Sequence, residues 1–196
     1  NVPPHRRRIG YVFQDARLFP HLTVRQNLLY GHYFSSRAGR YAVFDQVVEL
    51  LGIAQLLDRR PAGLSGGEEQ RVAIGRALLA SPRILLMDEP LASLDDARKS
   101  EILPYIERLR DQMGLPILYV SHAMDEVARL ADTMVLMANG AVAAVGSVED
   151  LSARVDLATL ARRQEAGAVV HARVASHDAR YGLSELRFDG GRLRVP

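Results

Sequence analysis

Apolar residues recur at two different spacings along the chain, and the spacing changes near Pro82. Before that point, Ile9-Gly10-Tyr11-Val12-Phe13 reads as a short strand ending at Gln14. Thr23-Val24-Arg25-Gln26 has the T-x-x-Q form of a capping box and opens a helix that Gly31 is expected to stop. Phe44, Val47, Val48 and Leu51 fall on one helical face, with Gly52 as the stop. Ile53, Leu56 and Leu57 suggest one more turn before the break at Pro61 and Gly63. The signal from about residue 24 to 80 is therefore helical.

After Pro82 the pattern alternates between element types. Ile84-Leu85-Leu86-Met87 is an unbroken apolar run, as expected of a parallel strand buried on both faces. Ile102, Leu103, Ile106, Leu109 and Met113 then define a long helix that Pro104 is expected to kink or split. Gly114-Leu115-Pro116 ends it, and Ile117-Leu118-Tyr119-Val120 is a second buried strand. Residues 123–131 return to helix and 133–137 to strand. Asn139-Gly140 marks a hairpin into Ala141-Val142, and Ser147 with Glu149-Asp150 caps a further helix. From Val169 onward the residues alternate loosely around Gly182 and Gly190-Gly191, without a helical period. The class is α/β with a helical insert, followed by the start of a β-rich domain that so few strands cannot close alone.

Composition narrows this reading only by exclusion. Lys+Arg at 25 against Asp+Glu at 23 leaves +2, and no basic block exceeds Arg6-Arg7-Arg8, so a nucleic-acid partner is not expected. The absence of cysteine excludes disulfides and thiolate zinc sites. No run approaches the roughly 18 apolar residues that a membrane span requires.

Candidate chemistry gathers at element ends. Leu64-Ser65-Gly66-Gly67-Glu68-Glu69-Gln70-Arg71 has the S-x-x-E spacing of a capping box, but a cap explains neither glycine. Each glycine costs about 1 kcal/mol inside a helix relative to alanine. It also bares backbone N–H groups at the positive end of the helix dipole, where a phosphate can approach. Asp88 and Glu89 follow the strand Ile84–Met87, at the carboxyl edge where open α/β sheets bind ligands. One carboxylate could face Mg²⁺ and the other an attacking water; the plainer alternative is a helix N-cap with a solvated neighbour. His122 follows Ser121 at the end of the next strand. Gln14 also follows a strand, and its amide oxygen could ligate a hard cation or a water.

The order Gln14, Leu64–Arg71, Ile84–Pro90, Ser93-Leu94-Asp95 and Ser121-His122 resembles the ATP-binding subunit of an ABC transporter, over residues 1 to about 150. The resemblance implies an ABC ATPase domain over 1–164, with its helical subdomain at about 24–80, and a β-rich, oxyanion-binding-like domain starting in 165–196. It implies Gln14 touching metal and water, and Asp88 holding Mg²⁺. It implies Glu89 as general base and His122 as its catalytic companion. Ser65, Gly66, Gly67 and Glu68 would meet the ATP of an opposite subunit in a homodimer, with Asp95 at the seam. Glu68 departs from the commoner glutamine. The loop Arg17-Leu18-Phe19-Pro20-His21 would face membrane permease subunits, placing the protein at the cytoplasmic face of the inner membrane as a peripheral ATPase. No G-x-x-x-x-G-K-[ST] occurs. The family pattern places that loop before Gln14, so the chain is expected to be truncated and inactive alone.

Within the family, Val12–His21 is similar to the ATPases of molybdate importers, and His177-Asp178-Ala179-Arg180-Tyr181-Gly182-Leu183 resembles the opening of their oxyanion-binding domain. A solvated hairpin with His171 and His177 at the surface is the plainer alternative for the tail. Sulfate, phosphate and sugar importers, or a non-enzymatic oxyanion sensor, are the competing functions. An ABC ATPase acting on DNA or ribosomes would want a coiled-coil insert, a tandem cassette or a basic surface, and none is visible.

Overall fold

The computed structural model describes residues 2–3, 6–34, 40–152, 172–178, 183–188 and 191–195. The expected boundary at 164/165, His171 and residues 179–182 lie outside them. The chain divides into two compact units, Asn1–Leu130 and Ala131–Pro196.

In the first unit, β1 (Ile9–Val12), β2 (Ile84–Asp88) and β3 (Ile117–Val120) form a parallel sheet with β2 in the middle. Ile9 pairs with Ile84, and Asp88 with Val120, so all three strands end at one edge. Val12, Leu85 and Met87 bury one face against a core that includes Ile74, Leu78, Ile102 and Ile106. The opposite face differs from the expectation of strands buried on both sides. Ile9 and Tyr11 are each 41% exposed, Leu118 55% and Val120 47%. Among the described residues β3 therefore has one exposed face, whereas no residue of Ile84–Met87 in β2 is exposed: Leu85 and Met87 are buried, and Ile84 and Leu86 half-buried.

The helical stretch follows the capping signals. Helix α1 (Val24–Phe34) opens on the predicted box: the Gln26 side chain accepts from Thr23 N–H at 2.9 Å, and Thr23 Oγ1 accepts from Gln26 N–H at 3.3 Å. Gly31 does not stop it. The helix runs through it, and a Cβ at Gly31 would come within 3.2 Å of both Ala80 Cβ and the Arg76 carbonyl. The glycine permits close packing against α3 (Gly66–Leu79). Helix α2 (Phe44–Leu50) does end before Gly52, whose φ is +60°. The Arg71 guanidinium donates to the Leu51 and Gly52 carbonyls, satisfying that helix end. Short 3₁₀ turns at Ala54–Leu56 and Pro61–Gly63 lead into α3.

Helix α4 (Asp96–Met113) is continuous through Pro104, contrary to the expected split. Ile102, Leu103, Ile106 and Leu109 bury one face on either side of the proline, and this packing outweighs the single lost backbone bond. Gly114, at φ +55°, ends the helix. Helix α5 (Met124–Leu130) closes the unit.

In the second unit, β4 (Met134–Ala138) pairs antiparallel with β5 (Ala141–Gly146). Asn139 and Gly140 both take positive φ, 51° and 77°, as the hairpin signal requires. Ser147 Oγ caps α6 (Val148–Ser152) by accepting from Asp150 N–H at 3.1 Å. β6 (Arg173–Asp178), β7 (Leu183–Phe188) and β8 (Gly191–Val195) form an antiparallel sheet, the β-rich element expected of the tail.

Candidate nucleotide site

The parallel register brings the ends of β2 and β3 together. Asp88 is the last residue of β2, and Glu89 turns away from it at φ +44°. A non-glycine residue in this left-handed region costs about 1–3 kcal/mol and must be held there. Here Glu89 N–H donates to the Val120 carbonyl at 2.9 Å, and the Glu89 carbonyl accepts from Ala92 N–H at 3.2 Å. The helix N-cap alternative for Asp88 does not apply, since the next helix begins at Asp96. Beyond β3, His122 Nδ1 lies 3.2 Å from Glu89 Oε2, with both side chains partly exposed. Asp88, Glu89 and His122 therefore share one sheet edge.

Tyr11, which the sequence did not single out, donates its hydroxyl to Asp88 Oδ2 at 2.8 Å. The bond to a carboxylate raises the phenol's pKa and orients the Asp88 carboxylate. Only the parallel pairing of β1 with β2 sets these residues side by side, so no linear motif announces the contact.

Gln14 follows β1 and lines an open cleft of about 420 Å³ with Asp15, Gly66, Glu69, Gln70 and Ser93. Two side chains of α3 fix this segment. Gln70, 3% exposed, donates to the Phe13 carbonyl at 3.2 Å, and the Arg76 guanidinium donates to the Ala16 and Arg17 carbonyls. Burial pushes the pKa of Arg76 down. The following loop carries Arg17 over Phe13 at 4.2 Å and Phe19 against Tyr30 at 4.3 Å between ring centroids.

Ser65 caps α3 in a full capping box. Its Oγ accepts from Glu68 N–H at 3.3 Å, and the Glu68 carboxylate accepts from Ser65 N–H at 2.7 Å. That second bond holds the Glu68 carboxyl below the usual carboxylate range. Gly66 has a packing reason as well, since a Cβ there would lie 3.0 Å from Leu94 Cδ2, whereas packing does not require Gly67, where a Cβ would meet Ile102 at an ordinary 3.4 Å. No hydrogen bond or ion pair among the described residues joins Ser65 or Glu68 to Asp88, Glu89 or His122. Asp95 caps α4 by accepting from Arg98 N–H at 2.9 Å.

A magnesium ion fits the donor set at Asp88. Among the described residues no group of three or more His, Cys, Asp or Glu forms a protein cage. The exposed Asp88 carboxylate suits an ion that takes most of its ligands from phosphate oxygens and water.

The ABC transporter family model matches residues 1–92. The chain is 60% identical over 195 residues to the molybdenum import ATP-binding protein ModC of Mesorhizobium japonicum and 63% identical to that of Paramagnetospirillum magneticum. Each match takes in the whole chain but 53% and 54% of the relative, so the chain spans about half their length. Among solved structures, cbiO1 from Clostridium perfringens, part of the ABC transporter complex cbiONQ, has TM-score 0.66 at 28% identity, over 81% of this chain and 65% of that one. The ATP-binding cassette MJ0796, dimeric and bound to ADP and Pi, has TM-score 0.60 at 27% identity, over 73% and 64%. With its capped Ser65-Gly66-Gly67 helix, its Asp88-Glu89 strand end and its His122 turn, the chain is similar to the ATPase domains of ABC transporters.

Proposed function

We propose that this chain is part of the ATP-hydrolysing subunit of a molybdate importer. The observation that carries the reading is the 3.2 Å approach of His122 to Glu89 beside Asp88 at one sheet edge, in a chain about 60% identical to molybdenum import ATP-binding proteins. Glu89 orients the attacking water and accepts its proton as the water oxygen bonds to the γ-phosphorus. The bond from that phosphorus to the bridging oxygen of ADP breaks, releasing ADP and phosphate. His122 Nδ1 fixes the Glu89 carboxylate. Asp88 and Gln14 would hold Mg²⁺, which when bound offsets phosphate charge.

Ser65, Gly66, Gly67 and Glu68 face the ATP of a second copy in a homodimer, which accounts for their lack of contact with Glu89 in the same chain. Asp95 lies at the seam. Closure of the dimer excludes water and sets the α3 dipole against the γ-phosphate. The loop after Gln14, pinned to α3 by Gln70 and Arg76, passes the motion to membrane permease subunits at the cytoplasmic face. Molybdate uptake in cells lacking the gene tests the reading. The full-length gene should restore it and Glu89→Gln should not. Restoration of sulfate but not molybdate uptake would reassign the cargo, and equal restoration by Glu89→Gln would refute the ATPase role.

A further inference from the structure

Behind His122 lies a carboxylate that the proposed reaction leaves unused. Glu126, in the first turn of α5, is 2% exposed, yet three donors converge on it. Tyr119 Oη and Ser121 Oγ each donate to its Oε2 at 2.8 Å, and Lys99 Nζ lies 3.0 Å from Oε1. A buried carboxylate is costly unless fully partnered, and an apolar residue could pack the same space without that cost. The partners show what the charge organises. Ser121 Oγ gives its proton to Glu126 and accepts from Ala123 N–H at 3.0 Å, closing a turn whose middle residue is His122. The imidazole of that turn reaches Glu89, whose own N–H is anchored on Val120 at the root of the same turn. Lys99 lies in the second turn of α4, the helix that Asp95 caps.

We propose that Glu126 is a positioning residue: through Ser121 it holds the His122 turn so that the imidazole meets Glu89, and through Lys99 it ties that turn to the start of α4. The catalytic consequence rests on the proposed ATPase function, whereas the placement of the ring does not. Which nitrogen of a neutral histidine carries the proton is set by the partner of the other, so a ring whose Nδ1 faces a carboxylate holds its proton on Nδ1.

Ring-¹⁵N spectra of histidine-labelled full-length protein at alkaline pH read this directly, with the His122 signals identified by their loss in His122→Ala. Wild type should show the Nδ1–H tautomer, Ser121→Ala should shift the ring toward Nε2–H, and Ser121→Thr, which keeps the hydroxyl, should restore it. In ATP turnover by the same proteins, Ser121→Ala should lower kcat about ten- to a hundredfold, as expected of a sub-ångström to ångström displacement, with KM for ATP unchanged. Glu126→Gln should act in the same direction. An unchanged tautomer in Ser121→Ala overturns the inference whatever the turnover. A shifted tautomer with wild-type kcat overturns its catalytic half. A shifted tautomer in a protein with no wild-type turnover upholds the positioning and refutes the ATPase reading instead.

Discussion

Gly75 lies on α3 where α1 and α2 both approach, and a single methyl group there tests how tightly α3 is held. A Cβ at this position would come 2.7 Å from Leu28 Cδ2, 3.1 Å from Leu51 Cδ1 and 3.6 Å from Val47 Cγ1. Two effects oppose one another in Gly75→Ala. Helix propensity favours alanine by about 1 kcal/mol, while an extra carbon forced into a packed core costs about 1–3 kcal/mol. Leu28 and Leu51 are both 0% exposed, so neither can swing into solvent to make room, and packing wins. The expected net loss is about 1 kcal/mol, or a melting temperature lower by about 2–4 °C for a domain of this size. Gly63→Ala is the control, because nothing lies within 4 Å of its Cβ and its backbone is not left-handed. It should change stability by less than about 0.5 kcal/mol. Thermal melts followed by far-UV circular dichroism make the comparison. A Gly75→Ala protein that melts higher than wild type would show that α3 has slack against α1 and α2, and would refute the packing argument.

Glu68→Gln should lower stability at neutral pH and leave it unchanged in acid. The folded carboxyl titrates below its unfolded value near 4.5, so its contribution is present above that pH and is lost as pH falls through the folded value. Parallel denaturation curves for the two proteins at all pH values would contradict this. Ser65→Ala should cost only about 0.5–1 kcal/mol, because the Oγ bond is long at 3.3 Å and the reciprocal Glu68 bond survives. In the full-length protein Ser65→Arg should abolish ATP turnover without weakening ATP binding to the isolated subunit. Ser65→Asn, which can still cap the helix, should keep the fold, and full turnover by the arginine variant would remove Ser65 from the phosphate site.

Local chemistry was legible wherever neighbours in sequence are partners in space. The boxes at Thr23–Gln26 and Ser65–Glu68, the Asn139-Gly140 turn and the Gly114 stop each close within a few residues, and all formed as read. Gly31 and Gly52 look alike in sequence, yet one admits a crossing helix and the other ends its own, a difference set by Ala80 and Arg76 more than forty residues away. Pro104 argued for a kink or a split, and the split is overridden by the burial of Ile102 and Ile106 on either side. The strand ends bearing Asp88, Glu89 and His122 could be aligned from the pattern alone. Tyr11 and Glu126 could not: one depends on parallel register, and the other sits in Met124-Asp125-Glu126, which reads as a solvated helix start. The exposed side of Leu118 and Val120 was equally hidden, since an apolar run does not say which face is covered.

In the proposed reaction Glu89 activates water for ATP hydrolysis at the carboxyl edge of β2. Single-turnover hydrolysis by the purified full-length protein and its Glu89→Gln variant, at saturating ATP and Mg²⁺, tests it most directly. The variant should bind ATP as wild type does, accumulate as an ATP-bound dimer and hydrolyse about 10²–10⁴-fold more slowly. Turnover close to wild type in that dimer would contradict the assignment and move the base elsewhere, His122 being the nearest candidate.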